Sequence, residues 1–159
     1  MSRFPRALVV MASMCWSCLA LPHTAWLEPV DCSDTACHRF RVVFGGHDGE
    51  LAYPLEKVRT VSALGADSRR LDVRRRVRDD AMLIEVNGHP VMLLMHFDNG
   101  IYTRVADGRM INRPMSQVEN AVSAVKALKY HKTIRAWTNV VTTAQGQPFE
   151  VVPVSKMRP

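Results

Sequence analysis

Residues 82–105, MLIEVNGHPVMLLMHFDNGIYTRV, constrain the chain more than any other stretch, because two apolar segments meet there at a strong turn signal. Within 91–97, Val91, Leu93, Met95 and Phe97 share one face, and Met92 and Leu94 make the opposite face apolar as well. A strand of this kind is expected to be central and covered on both sides. Asp98-Asn99-Gly100 tolerates positive φ, and Ile101, Thr103 and Val105 resume the alternation, so the pattern predicts a hairpin turning at 98–100. Asp107-Gly108 repeats the signal and starts a further return through 110–112.

The flanking segments extend the same pattern. Residues 23–29 read as an edge strand stopped by Pro29. Residues 38–44 alternate Phe40, Val42 and Phe44 with polar neighbours until Gly45-Gly46 ends the strand. Further strands are expected over 57–64 and 71–77, where Arg75 interrupts the face of Leu71, Val73 and Val77, and Asp79-Asp80 turns the chain back toward Met82. One segment departs from this. Ser116-Gln117-Val118-Glu119 has the form of a capping box, and Val118, Ala121, Val122, Val125 and Leu128 follow at helical spacing. The expectation is an amphipathic helix over 116–129 lying on the sheet, then strand composition over 133–143 and a last short strand at 149–152. The expected fold class is mainly β: an antiparallel immunoglobulin-like β-sandwich or meander with one covering helix.

The first residues read differently. Arg3 and Arg6 precede an uncharged apolar run over 7–19, and Cys18-Leu19-Ala20 supplies small residues where a signal peptidase reads. The run is shorter than the roughly 20 residues of a spanning helix. The expectation is a cleaved signal peptide over 1–20, a single β-rich domain over 21–159 and a periplasmic location. Loss of the two arginines lowers the formal charge from +6 to +4. It also removes Cys15 and Cys18 and leaves Cys32 and Cys37, which in an oxidising compartment are expected to form a small disulfide.

Histidine is the residue type with chemistry to offer, since all six lie beyond the leader: His23, His38, His47, His89, His96 and His131. None forms an HxH or HExxH motif. His23 and His38 bracket the Cys32–Cys37 loop and His47 follows the next strand, so these three are the metal-ligand candidates, with Glu28 or Asp48 able to complete a shell. A square-planar amino-terminal copper or nickel site at His23 is excluded, because Pro22 has no N–H to give up as a ligand. His96 reads as a buried or half-buried histidine hydrogen-bonded to backbone, and His89, in Asn87-Gly88-His89-Pro90, as a solvated turn residue. The run Arg69-Arg70-Leu71-Asp72-Val73-Arg74-Arg75-Arg76-Val77-Arg78 lacks interleaved aromatics, which argues against a nucleic-acid partner. It reads as a solvated strand face offering at most a weak contact with an anionic envelope surface. No GxSxG, phosphate loop or paired carboxylates point to an enzyme.

Several short motifs carry a resemblance: His23-Thr24-Ala25-Trp26-Leu27-Glu28-Pro29 after the leader, Asp98-Asn99-Gly100-Ile101-Tyr102-Thr103, Tyr130-His131-Lys132-Thr133, and Gly146-Gln147-Pro148-Phe149-Glu150-Val151-Val152-Pro153. Together they resemble a family of exported bacterial proteins, a domain of unknown function linked to nickel or cobalt uptake, of the periplasmic nickel-transport-complex component type. The resemblance implies a periplasmic β-sandwich in which His23 takes part in metal handling, a nickel or cobalt ion as ligand, and a membrane metal-uptake complex as partner. Members of that family continue past the Val-Pro segment into a second immunoglobulin-like domain, and this chain is expected to lack it. The alternative expectation is a non-catalytic β-sandwich interaction module that binds a protein or an envelope glycan.

Thiol labelling of denatured, unreduced protein is expected to find neither Cys32 nor Cys37 free, and two labelled cysteines there would reject the pairing. Closing so short a loop stabilises the fold by only about 2 kcal/mol.

Overall fold

Alternating apolar residues become two antiparallel sheets in the computed structural model, which describes residues 23–31 and 37–155. The expected leader and the Cys32 half of the expected disulfide lie outside the described residues. The first sheet runs in the order β1-β2-β7-β6, from β1 (Thr24–Val30), β2 (Cys37–Gly46), β7 (Ala81–Asn87) and β6 (Val73–Arg78), with the short β3 (Gly49–Glu50) on β2. The second runs β10-β8-β4-β5, from β10 (Ala121–Ile134), β8 (Met92–Val105), β4 (Val58–Leu64) and β5 (Arg70–Leu71), with β9 (Met110–Ile111) on β8. Their inner faces form one core: Ala25, Leu27, Phe40, Val42, Phe44, Met82, Ile84 and Val86 from the first sheet meet Val58, Ala63, Leu93, Met95 and Phe97 from the second. The protein is therefore mainly β, with two sheets packed face to face. Phe44 and Phe97 stack across the gap with centroids 5.1 Å apart, and the Tyr53 hydroxyl, donating to the Val42 carbonyl, closes that end of the core.

β8 is central, as its doubly apolar pattern requires, but it does not turn at 98–100. It continues for 14 residues, and β10 follows it from end to end. Between the pairs Leu128↔Asp98 and Lys126↔Ile101, β8 spends one residue more than β10, so the Asp-Asn-Gly signal is a β-bulge. Gly100 takes φ 89°, the conformation a hairpin glycine also uses, which is why bulge and turn look alike in sequence. The buried Asn99 becomes part of the interior, accepting from Lys57 Nζ at 2.9 Å and donating to the Tyr102 hydroxyl at 2.9 Å. The second signal does turn the chain, since β9 pairs with β8 across Asp107-Gly108.

The expected covering helix over 116–129 is a strand. Only a 3-10 turn at Met115–Gln117 is helical there; Pro114 rather than Ser116 precedes it, and Asn120 at φ 55° breaks any continuation. The cause is register. β10 carries an extra residue between Ala121 and Ser123, which breaks its two-residue alternation at Val122, so that Val118, Ala121, Val122, Val125 and Leu128 fall at a spacing that mimics a helical period. Val122 and Val125 are exposed.

What covers the outer face of β8 is the irregular segment after β10. Val140 packs on Leu64, Val91, Met92 and Leu94, and residues 149–152 run on without becoming the strand expected there. A nearly buried ion pair fastens this segment: Lys132 Nζ lies 2.6 Å from Glu150 Oε1, with the two side chains 10% and 8% exposed. The backbone N–H groups of Gln145, Gly146 and Gln147 also donate to the Glu150 carboxylate, and Lys132 donates to the Val151 carbonyl. Burial alone would raise the Glu150 pKa, but Lys132 and these N–H groups outweigh it and hold the carboxyl below its usual range.

Leu94→Ala should cost about 2–5 kcal/mol in a urea titration, since both faces of β8 are covered. Gly100→Ala should cost at least about 1–2 kcal/mol from its left-handed backbone. It should exceed Gly108→Ala, because a methyl at Gly100 meets Asn112 Oδ1 at 2.9 Å whereas one at Gly108 meets nothing within 4 Å. The lowered Glu150 pKa means that its stabilisation is complete above the ordinary carboxylate range and is lost as pH falls through the lowered folded value. Glu150→Gln should remove that part of the acid dependence of the urea midpoint.

Candidate functional site

β2 and β7 lie side by side, with Cys37 opposite Asn87 and His38 opposite Val86. Phe40 and Val42 point into the core, so His38, on the same alternating face as Phe40, lies at the end of the sandwich where the core runs out. β7 ends in Asn87, and Gly88 at φ 99° swings the chain so that His89 returns over the end of β2. The two imidazoles then meet. His38 Nε2 lies 3.0 Å from His89 Nδ1, with the rings edge to face at 5.1 Å and 70°. His38 is half-buried and His89 exposed.

A third side chain, a cation, belongs to this corner. Arg135 follows β10, donates its backbone N–H to the Val91 carbonyl at 2.8 Å, and lays its guanidinium over the Phe40 ring at 5.6 Å. Burial, then the His89 ring, then the Arg135 charge each push the His38 pKa below the ordinary imidazole value. Chemically, two ring nitrogens at this spacing share a proton in a hydrogen bond or grip an ion. Ligand bonds of about 2.0–2.1 Å at angles of roughly 90–110° place neighbouring imidazole nitrogens about 2.9–3.4 Å apart.

The three histidines expected as ligands are divided between the ends of the sheet. Thr24 pairs with Gly45, so His23, which also packs on Phe44 at 5.8 Å, lies near the turn that holds His47. His38 begins the same strand and lies about 26 Å away at roughly 3.3 Å per residue. The loop between β1 and β2 therefore does not bring His23 to His38; antiparallel pairing along all of β1 sends them to opposite ends. Glu28 and Glu50 are both engaged by Arg41, at 2.6 Å each. His96 stacks on Tyr130 at 4.8 Å, and its Nε2 has no hydrogen-bond partner among the described residues, so the backbone hydrogen bond expected of it is not made there. His131 faces Thr133 Oγ1 at 3.0 Å, and burial lowers its pKa. Among the described residues, no group of three or more His, Cys, Asp or Glu side chains is arranged to hold a metal ion.

The sequence marks His89 as a solvated turn residue, and it is exposed, but it does not mark it as a ligand candidate. Its partner lies 51 residues away, and nothing local marks a turn histidine that meets a strand-end histidine of a non-consecutive strand. The arginine run is split between β5 and β6, the end strands of the two sheets, and much of its charge is met: Arg74 by Asp72 at 3.7 Å, Arg76 by Glu85 at 2.8 Å and Arg78 by Asp79 at 3.4 Å. The interrupting Arg75 reaches across to the second sheet and donates to the carbonyls of Val58 and Arg59, beside the bulge in β4.

No family model matches the chain, and no solved structure matches it. It is similar to an uncharacterized protein of Haemophilus influenzae, 24% identical over 139 residues, a match covering 87% of this chain. The chain spans 58% of that relative's length.

Proposed function

We propose that this is a periplasmic accessory protein that binds a divalent transition metal, nickel or cobalt, as cargo and passes it to a membrane uptake complex, without catalysing a reaction. The observation that carries this reading is the 3.0 Å approach of His38 Nε2 and His89 Nδ1 at the solvent-exposed end of the sandwich. Imidazole suits these borderline ions, and the resemblance of the motifs at 23–29, 98–103, 130–133 and 146–153 to a family linked to nickel and cobalt uptake supports the same direction. Two protein donors leave most of the coordination sphere to other ligands. That suits a carrier, which must release its ion, better than a structural site, which closes around it.

A second reading, a non-catalytic module binding a protein or envelope glycan, draws on another surface, along β10 and the segment that follows it. There β10 exposes Val122 and Val125, and a groove of about 270 Å³ runs between Tyr130 and Ile134 of β10 and Phe149 and Val151 of the C-terminal segment.

Calorimetric titration of the purified protein with nickel separates the two. The metal reading expects one ion per chain, an affinity at least ten-fold weaker in His38→Ala and in His89→Ala, and little change in His47→Ala. Absence of nickel binding, or equal binding by the His38→Ala/His89→Ala double variant, overturns it in favour of the interaction module.

A further inference from the structure

We propose that the His38–His89 corner takes its metal already complexed by a small carboxylate-bearing chelator, with Arg135 receiving the chelator's free carboxylate; this rests on the metal reading above. The first support is the incompleteness of the protein's own shell. The pair supplies two neutral nitrogen donors, and no third His, Cys, Asp or Glu joins them among the described residues. A first-row dication takes four to six donors, so at least half of the shell must come with the ion or from water.

The second support is the charge of the corner. The charged group set beside the pair is a cation, not the carboxylate a bare dication would favour. Arg135 is seated on Phe40, and Phe40 lies two residues along the same strand face from His38, about 7 Å away. The Arg135 guanidinium has no carboxylate or carbonyl acceptor among the described residues; the ring face below and the backbone N–H bond to Val91 hold it in place. A guanidinium held this way repels a naked dication but offers a planar fork of donors to a carboxylate. Both features fit a metal chelate that arrives with zero or negative net charge and spans from the imidazole pair to the arginine. A hydroxy-polycarboxylate or an amino-acid chelate has this chemistry.

The experiment compares nickel alone with a preformed one-to-one nickel–citrate complex as calorimetric probes, on wild type, Arg135→Gln, and the His38→Ala/His89→Ala double variant. Arg104→Gln, an exposed arginine on β8, serves as the charge control. The expected result is that wild type binds nickel–citrate at least ten-fold more tightly than nickel alone. Arg135→Gln should weaken the chelate and strengthen bare nickel, opposite changes that a merely structural loss cannot produce, while Arg104→Gln changes neither. The double variant should bind neither probe. Equal or tighter binding of bare nickel by wild type, or an undiminished chelate preference in Arg135→Gln, overturns the chelate proposal and leaves the metal reading standing. Failure of wild type to bind either probe overturns both.

Discussion

The fold depends on the burial of β8 along both faces and both edges. A strand whose Met92 and Leu94 are as apolar as its Leu93, Met95 and Phe97 cannot leave either face in water without losing on the order of 1.5–3 kcal/mol for each large side chain. The first sheet covers one face, and the segment carrying Val140 covers the other. Its backbone is equally demanding, because fourteen residues in the middle of a sheet present hydrogen-bonding groups on both sides. β4 and β9 share one edge, and β10 takes the whole of the other. The need for a 14-residue partner decides that residues 121–134 are a strand, whatever their local spacing favours.

A sheet pair built around one long strand leaves edges that must be kept from pairing with other chains, and each is blunted differently. β1 carries Pro29, which has no donor to offer. β6 carries its row of arginines, and Arg75, turned toward the other sheet, satisfies the carbonyls beside the β4 bulge. β10 is bulged between Ala121 and Ser123 and places Lys129 and His131 opposite Phe97 and Met95, on the core side of its face, where burial lowers the pKa of both. Inward-pointing polar groups of this kind discourage an added strand. The same devices leave the two ends of the sandwich as the places where polar side chains from separate strands meet free of ladder pairing. The His38–His89–Arg135 corner is assembled at one of those ends.

That corner shows why function is harder to read here than fold. His38 comes from the start of β2, His89 from the turn after β7 and Arg135 from the exit of β10, three points that adjoin only because β2 pairs with β7 and packs over β8. The aromatic cluster of Phe44, Tyr53 and Phe97 closes the opposite end, near His23 and His47. Ligand candidates that look close in sequence are therefore parted by the length of a strand.

The sequence by itself determined the strand character of most of the chain, the central place of residues 91–97, the edge position of residues 23–29, the return at Asp107-Gly108 and the half-buried state of His96. These follow from two-residue periodicity and turn chemistry, both of which act within a few residues. It did not determine that Asp98-Asn99-Gly100 is a bulge, because a positive-φ glycine serves a turn and an inserted residue equally well. Nor did it determine the strand state of residues 121–134, since a bulge at Val122 breaks the period of two and mimics a helical one. Only the tertiary structure decided which strands are neighbours. With that it decided that Val140 covers β8, that Lys132 meets Glu150, and that His38 finds His89 rather than His23, because pairing between strands far apart in sequence is selected by the burial of whole faces and leaves no mark on any short stretch of residues.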